Sequence, residues 1–234
     1  MRPIKETLER EMRFTSDAAH ELRTPLAIMK TELEVALREP ELSKDEISTL
    51  IRSNLEEVER MSKMVEELLT LSHMDSKKNK INLSRVLFSQ LVERSVERMM
   101  PYAKKKNINL KTYISPNTVI LGDEEKLQQL VFNLLKNAID YNKENGEVKI
   151  EVNQSSKTVS LIVSDTGIGI PPEDLPHVFE RFYRVDKSRS HKIGGSGLGL
   201  SIVKAIVDAH HGEIKIKSTL NKGTIVEVQF PKSN

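Results

Sequence analysis

"FTSDAAHELRTPLAIMK", residues Phe14–Lys30, contains no glycine and spaces its apolar residues for a helix. Thr15, Ala19, Leu22, Leu26 and Met29 follow one another in steps of four and three, which keeps their side chains on one stripe. The stripe continues outward through Leu8 and Met12 on one side and Leu33 and Ala36 on the other. His20 follows Ala19, so its imidazole is turned about 100° off the stripe, with Ser16 and Thr24 on its own face. Glu21 lies a further turn-step round, where its carboxylate can reach a ring N–H. Pro25 removes a backbone donor and crowds the carbonyl of residue 21, so a bend or loosening of the helix is expected beside His20. A neutral imidazole, with an ordinary pKa of about 6.5, is a competent nucleophile at neutral pH, and an accepting carboxylate orients it. On spacing alone, a surface histidine on a coiled coil is the simpler account.

"REPELSKDE", residues 38–46, interrupts the pattern with Pro40 and restarts it with the capping signature Ser43-x-x-Glu46. A second seam runs through Ile47, Ile51, Asn54, Val58, Met61, Val65 and Leu68, widened by Leu50, Leu55, Met64 and Leu71. One hairpin alone leaves much of that surface wet. The spacing therefore predicts that two copies pair into a four-helix bundle, the alternative being that the hairpin packs on the rest of its own chain. "DSKKNK", residues 75–80, is polar and lysine-rich, and it places the domain organisation at 1–75, a linker at 76–81, and 82–234. Beyond it the patterning predicts a helix over 89–106, strands over 109–114 and 118–121, and a helix over 124–141. Strands over 148–153 and 159–164, a helix over 198–210, and strands over 214–217 and 225–230 complete a mixed α/β domain.

Lysine plus arginine total 36 against 34 acidic residues, so a net charge of +2 provides no field that points to nucleic acid. Aromatics at 4% and no tryptophan argue against base-stacking platforms. The absence of cysteine excludes disulfides and thiolate metal sites and fits a reducing compartment. No apolar run reaches the roughly 20 residues that span a bilayer, and the first ten residues lack the apolar core of a signal peptide.

Three stretches of the second domain carry chemistry. "LQQLVFNLLKNAIDYN", residues 127–142, puts Asn133 and Asn137 on one face of an otherwise apolar helix. An amide oxygen suits magnesium, which prefers oxygen donors and keeps phosphate oxygens and waters around it; two partly exposed amides are the bland alternative. "SDTGIGI" ends a strand at Asp165 and adds Gly167 and Gly169. A half-buried carboxylate there can accept from an adenine amine while the glycines let backbone approach the ring, although a simple acidic turn fits as well. "GGSGLGLSIV", residues 194–203, opens a helix with Gly195, Gly197 and Gly199, whose free N–H groups and positive end suit phosphates. The glycines come after a long loop rather than at the first turn of a βαβ unit, which removes the Rossmann reading. The Walker sequence and the H-R-D and D-F-G motifs of hydroxyl-directed kinases are also missing.

"HELRTPL", His20 to Leu26, resembles the phosphoacceptor box in the dimerising domain of bacterial two-component sensor histidine kinases. The ordered set of amide helix, Asp-x-Gly-x-Gly loop, paired Phe179 and Phe182, and Gly-x-Gly-x-Gly helix start resembles the nucleotide-binding boxes of the same family's ATPase domain. Together the resemblance covers about residues 8–231. It implies an all-α hairpin forming a dimeric four-helix bundle, followed by an α/β two-layer sandwich ATPase domain of Bergerat type, the fold also found in gyrase. Domain 1–75 becomes a dimerisation and histidine phosphotransfer domain, and 82–234 a catalytic ATP-binding domain. The resemblance implies that His20 accepts the γ-phosphoryl group of ATP, that Glu21 is its base, and that Thr24 positions water for dephosphorylating the partner. Asn137 is the implied magnesium ligand, Asn133 supports the phosphate end, and Asp165 reads adenine. The implied nucleotide contacts also include Lys136, Tyr141, Gly167, Gly169, and Gly195, Gly197, Leu198, Gly199 and Leu200. Residues 171–196 correspond to a lid anchored by Phe179 and Phe182, with Arg184 or Lys187 reaching phosphate.

The implied function is ATP- and Mg2+-dependent autophosphorylation of His20, then transfer to an aspartate of a response-regulator receiver domain, with phosphatase activity towards that regulator. The implied setting is a homodimer forming the cytoplasmic portion of a membrane-bound sensor, with no nucleic acid and no membrane contact in this chain. A nucleotide-controlled dimeric switch or phosphatase with little kinase activity is the alternative. A chaperone-like ATPase is a third reading; water-activating relatives carry glutamate where this chain has Asn133, which counts against it. Two positions depart from the family pattern. Asp140 stands where lysine or arginine is frequent, with Lys136 or Lys143 as substitutes, and His211 stands where glycine is usual. Adjacent His210 and His211 lack helical ligand spacing, so a surface or core-edge role is expected for them, as it is for His73, His177 and His191.

Overall fold

Thirty-seven residues without a glycine, Arg2–Arg38, form one helix, α1. The computed structural model describes residues 2–39, 42–75, 81–185 and 195–232. Pro40, residues 76–80 of the connector, and residues 186–194 of the lid, including Lys187 and His191, lie outside the described residues. α1 stays helical on both sides of Pro25, whose missing N–H does not end the helix. α2, Lys44–Asp75, starts on the capping box that Ser43 and Glu46 announce. The Ser43 N–H donates to Glu46 Oε2 at 2.9 Å and the Glu46 N–H donates to Ser43 Oγ at 3.3 Å. The Ser43 hydroxyl and N–H hold the Glu46 carboxyl below its ordinary pKa.

The chain divides into two compact units, residues 1–70 and 71–234. In the first, Glu32 of α1 accepts from Ser53 Oγ at 3.0 Å and from Asn54 Nδ2 at 2.9 Å, tying the two helices at one level. The seams that the sequence marks are only partly covered. Leu22, Met29, Ala36, Met61 and Leu68 are half-buried, whereas Leu26, Leu33, Ile47, Ile51, Val58 and Val65 stay exposed, Ile51 by 59%. Two rows of apolar side chains therefore face outward from this unit.

Among its described residues the second unit holds a five-stranded sheet, a two-stranded sheet and three helices of its own. β1 is Ser84–Leu87, α3 Phe88–Lys105, β2 Asn109–Ile114, β3 Val119–Gly122, and α4 Glu124–Asp140. β4 is Glu147–Gln154, β5 Thr158–Asp165, α5 Gly199–Ala209, β6 Glu213–Thr219, and β7 Gly223–Pro231. The main sheet runs β2-β4-β5-β7-β6, parallel only between β2 and β4. Alternation in the strands buries one face: Val148, Ile150 and Val152, Val159, Leu161 and Val163, and Val226, Val228 and Phe230. α3, α4 and α5 cover that face, Phe88 of α3 meeting Phe230 edge-on at 5.9 Å between ring centres, which gives the mixed α/β domain that the patterning predicts in the two-layer form that the resemblance implies. β1, absent from the sequence reading, is the exception. "SRVL" is too short and polar to announce a strand, and it exists because it pairs antiparallel with β3, from Ser84 with Gly122 to Leu87 with Val119.

Candidate functional site

On α1, His20, Ser16 and Thr24 are exposed together and Glu21 is half-buried, as the spacing requires. The Thr24 hydroxyl donates to the His20 carbonyl at 3.3 Å, a long bond that leaves the hydroxyl easily redirected. The imidazole is exposed to solvent.

In the second unit, α4 begins at Asp123, whose side chain accepts from the Lys126 N–H at 3.2 Å. Its buried side is Leu127, Leu130, Val131, Leu134, Leu135, Ala138 and Ile139. Asn133 interrupts it: the residue is 7% exposed, and among the described residues its buried Nδ2 has no hydrogen-bond partner. An orphaned buried donor costs roughly 1–3 kcal/mol, which a core position does not normally tolerate. Asn133 and Asn137 both face the start of α5, where a Cβ on Gly199 would sit 4.0 Å from Asn133 Oδ1 and 3.9 Å from Asn137 Oδ1. α5 opens at Leu198 without a side-chain cap, so its first N–H groups and its positive end point at the same place. Gly195 lies beside Tyr141, a Cβ there being 3.5 Å from the phenolic oxygen. Gly197 adopts φ +75°, and its carbonyl accepts from the Phe182 N–H at 3.0 Å. A Cβ on Gly197 would meet the Phe182 backbone at 2.8 Å, so the loop and the lid residue can touch only because position 197 is glycine. Phe179 and Phe182 are both half-buried.

Asp165 closes β5 and turns its Oδ1 onto two backbone donors, Gly167 N–H at 2.8 Å and Thr224 N–H at 3.2 Å. Burial outweighs both bonds and pushes its pKa up to about 6. Thr224, 59 positions away at the start of β7, carries no signal in the sequence beyond the turn that precedes it. The loop glycines also pack closely on other elements. A Cβ on Gly167 would lie 2.2 Å from the Tyr141 carbonyl and one on Gly169 2.1 Å from the Thr219 carbonyl, so both let backbone pack on backbone.

The cations are engaged within the protein. Lys136 bonds to Asp140 Oδ2, and the Tyr102 hydroxyl of α3 and Lys106, the residue that follows α3, bond to Asp140 Oδ1 at 2.5 Å each. Burial pushes the Asp140 carboxyl up, but those donors prevail and leave its pKa lowered. Lys143 donates to the Asn221 carbonyl in the β6–β7 turn, and Arg184 is half-buried. Tyr102 and Lys106 went unread because their partner lies 38 and 34 residues away. His210 is buried, with its Nδ1 at 2.7 Å from the Ile206 carbonyl and its Nε2 accepting from the Asp123 N–H at 3.0 Å. That pair of contacts fixes the neutral ring with its proton on Nδ1, and burial lowers its pKa. His211 is exposed at φ +56°, the left-handed position after a helix that explains why glycine is usual there. Among the described residues no group of three or more His, Asp or Glu side chains can hold a metal ion by itself.

Residues 10–77 match the model of the His Kinase A (phospho-acceptor) domain, and residues 122–234 that of the histidine kinase-, DNA gyrase B-, and HSP90-like ATPases. Sensor histidine kinase RppB of Synechocystis is 36% identical over 99% of this chain and 51% of its own. The chain thus spans about half the length of the curated relatives it matches. A mycobacterial sensor histidine kinase, MprB, has a solved structure 30% identical that superposes with a TM-score of 0.56 over 64% of this chain and 97% of that one. Full-length ShkA, solved in complex with AMPPNP, is 26% identical, with a TM-score of 0.69 over 95% of this chain and 46% of that one. An exposed helical histidine followed by an ATPase fold with its amide helix and glycine loop in place agrees with all of these likenesses, and the chain belongs to the sensor histidine kinases.

Proposed function

We propose that this chain is the catalytic part of a protein-histidine kinase that autophosphorylates on His20 and passes the phosphoryl group to an aspartate of a response-regulator receiver domain. The observation that carries the nucleotide half is the convergence of Asn133 and Asn137 on the uncapped start of α5, with Asp165 on the same unit. Asp165 in its ionised form accepts from the adenine amine. The N–H groups of residues 199–201 and the Asn133 Nδ2 donate to phosphate oxygens. The Asn137 amide oxygen would hold a magnesium ion, which would supply charge neutralisation on the triphosphate. Phe179, Phe182 and Gly197 hold the lid side of the site, with Arg184, and Lys187 beyond the described residues, as further phosphate contacts.

The remaining chemistry belongs to the helical unit. A ring nitrogen of His20 forms a bond to the γ-phosphorus as the bond to the β–γ bridging oxygen breaks, ADP leaves, and Glu21 takes the imidazole proton. Alignment of the two groups supplies most of the acceleration. Thr24, on the same face, positions a water for removing phosphate from the regulator. The outward apolar rows of α1 and α2 support a homodimer whose hairpins form a four-helix bundle, and the need for ATP places it on the cytoplasmic side of a longer sensor. Incubation with γ-labelled ATP is expected to give acid-labile phosphate that is absent in His20→Gln and Asn137→Ala. Label persisting in His20→Gln overturns the assignment of the phosphoacceptor. Thr24→Ala is expected to keep autophosphorylation and lose regulator dephosphorylation, and a single-chain mass in light scattering sinks the dimer.

A further inference from the structure

We propose that Asp140 is an internal counter-ion that holds Lys106 and Lys136 on the flank of the phosphate site and lowers that site's affinity for polyphosphate until a nucleotide competes for them. The inference rests on the nucleotide reading of Asn133 and Asn137. Helix geometry places residue 140 about 60° and residue 136 about 100° round α4 from Asn137, on the same side, so the cluster borders the amide pair. The Asp140 side chain is 2% exposed, whereas those of Lys106 and Lys136 keep 34% and 25% of their surface open. Each ammonium therefore has a side from which an anion can be met.

A structural ion pair needs one cation for its carboxylate. Here there are two, together with the Tyr102 hydroxyl, and the Tyr102 ring lies 5.0 Å from one ammonium and 5.7 Å from the other. The second ammonium adds like-charge repulsion and leaves the cluster at a net +1, an arrangement that an incoming triphosphate relieves. The carboxylate is thus the protein's own stand-in for phosphate. Tyr102 and Asp140 act as positioning residues, since neither is required to touch the nucleotide.

Binding of ATP and of adenosine to the whole chain, in magnesium at about 50 mM and about 500 mM salt, separates this role from a purely structural one. In Asp140→Asn, ATP affinity is expected to rise by the order of tenfold at low salt, with adenosine unchanged and the gain shrinking at high salt. Lys136→Gln and Lys106→Gln are expected to lose ATP affinity several-fold and to keep adenosine affinity. These lysine variants keep the test alive should Asp140→Asn fail to fold. An ATP-to-adenosine ratio unchanged in the variants overturns the counter-ion role alone, whereas a wild-type chain that binds no ATP overturns the nucleotide reading and this inference with it.

Discussion

Replacing Asp165 by asparagine should stabilise the protein while removing its grip on ATP. The wild-type carboxyl titrates at about 6 in the folded chain against an ordinary 3.8, because burial outweighs the N–H bonds from Gly167 and Thr224. Between those two values the folded state holds a proton that the unfolded state has released, so stability falls as pH rises through the window, and above it the full penalty is present. A shift of about two units corresponds to about 3 kcal/mol, or roughly 6–12 °C in melting temperature for a domain of this size. Asparagine keeps an oxygen for both backbone donors and carries no charge. Its gain should therefore be near zero at pH 4, about half developed at pH 5, and complete at pH 7.5.

The same change reverses the chemistry at the adenine end. With the amide oxygen held by Gly167 and Thr224, the amide nitrogen stands where the second carboxylate oxygen was, so donor meets donor at the adenine amine. A lost charge-assisted bond plus an unpaired group is expected to weaken ATP binding by at least about a hundredfold. Wild-type affinity should fall as pH drops below about 6, since the protonated carboxyl accepts poorly, and the variant's affinity should be flat over that range. Scanning calorimetry of the nucleotide-free protein and titration calorimetry with ATP and magnesium, each from pH 5 to 7.5, measure both halves. A variant that melts at the wild-type temperature at pH 7.5, or that binds ATP as the wild type does, refutes the reasoning.

Gly197→Ala should cost about 1–3 kcal/mol in stability and weaken ATP binding, because the added methyl meets the Phe182 backbone at 2.8 Å with φ at +75°; thermal melts and nucleotide titration read it, and unchanged values remove the loop-to-lid contact from the account. His210 has a lowered pKa, so the unfolded chain takes up its proton first as pH falls, and the His210 contribution to stability, opposite in sign to that of Asp165, should decline below about 6.5 and level off above it. Urea midpoints across that range in wild type and His210→Asn check this, the variant losing the slope. Glu32→Leu combined with Asn54→Leu should stabilise the helical unit by about 1–3 kcal/mol while broadening its oligomeric distribution, because a polar layer in an apolar seam favours one register over alternatives. A uniform dimer with an unaltered melt in light scattering and calorimetry argues that Glu32, Ser53 and Asn54 specify nothing.

What could be read from the sequence is whatever a local rule encodes. Ser43 and Glu46 sit three apart and form the capping box they announce. Leu22, Met29 and Met61 are half-buried on the faces their spacing names, and Asn133 and Asn137 share a helix face because four residues make about one turn. What could not be read depends on partners brought together by the fold. Thr224 reaches Asp165 because β5 pairs with β7, placing Ser164 opposite Ile225. Tyr102 and Lys106 meet Asp140 because α3 and α4 lie side by side, and β1 exists only through β3. The close approach of Gly167 and Gly169 to the Tyr141 and Thr219 carbonyls was not legible either, since those carbonyls come from other elements.

The groups that converge on the nucleotide site share a thermodynamic character that helices and sheet alone do not explain. Asn133 Nδ2 is buried without a partner among the described residues, the start of α5 lacks a side-chain cap, and Asp165 is pushed towards its neutral form. Each costs the fold some stability by itself, and a phosphate oxygen or an adenine amine would turn each into a satisfied contact. Removing any one of them towards a better-packed residue should raise stability, so selection for stability alone would have erased the set. Their survival together in one unit supports the proposed site, one built to be completed by a charged nucleotide. The exposed imidazole of His20 is the same principle applied to the helical unit, where a reactive group is left uncovered on a helix that buries its apolar side chains elsewhere.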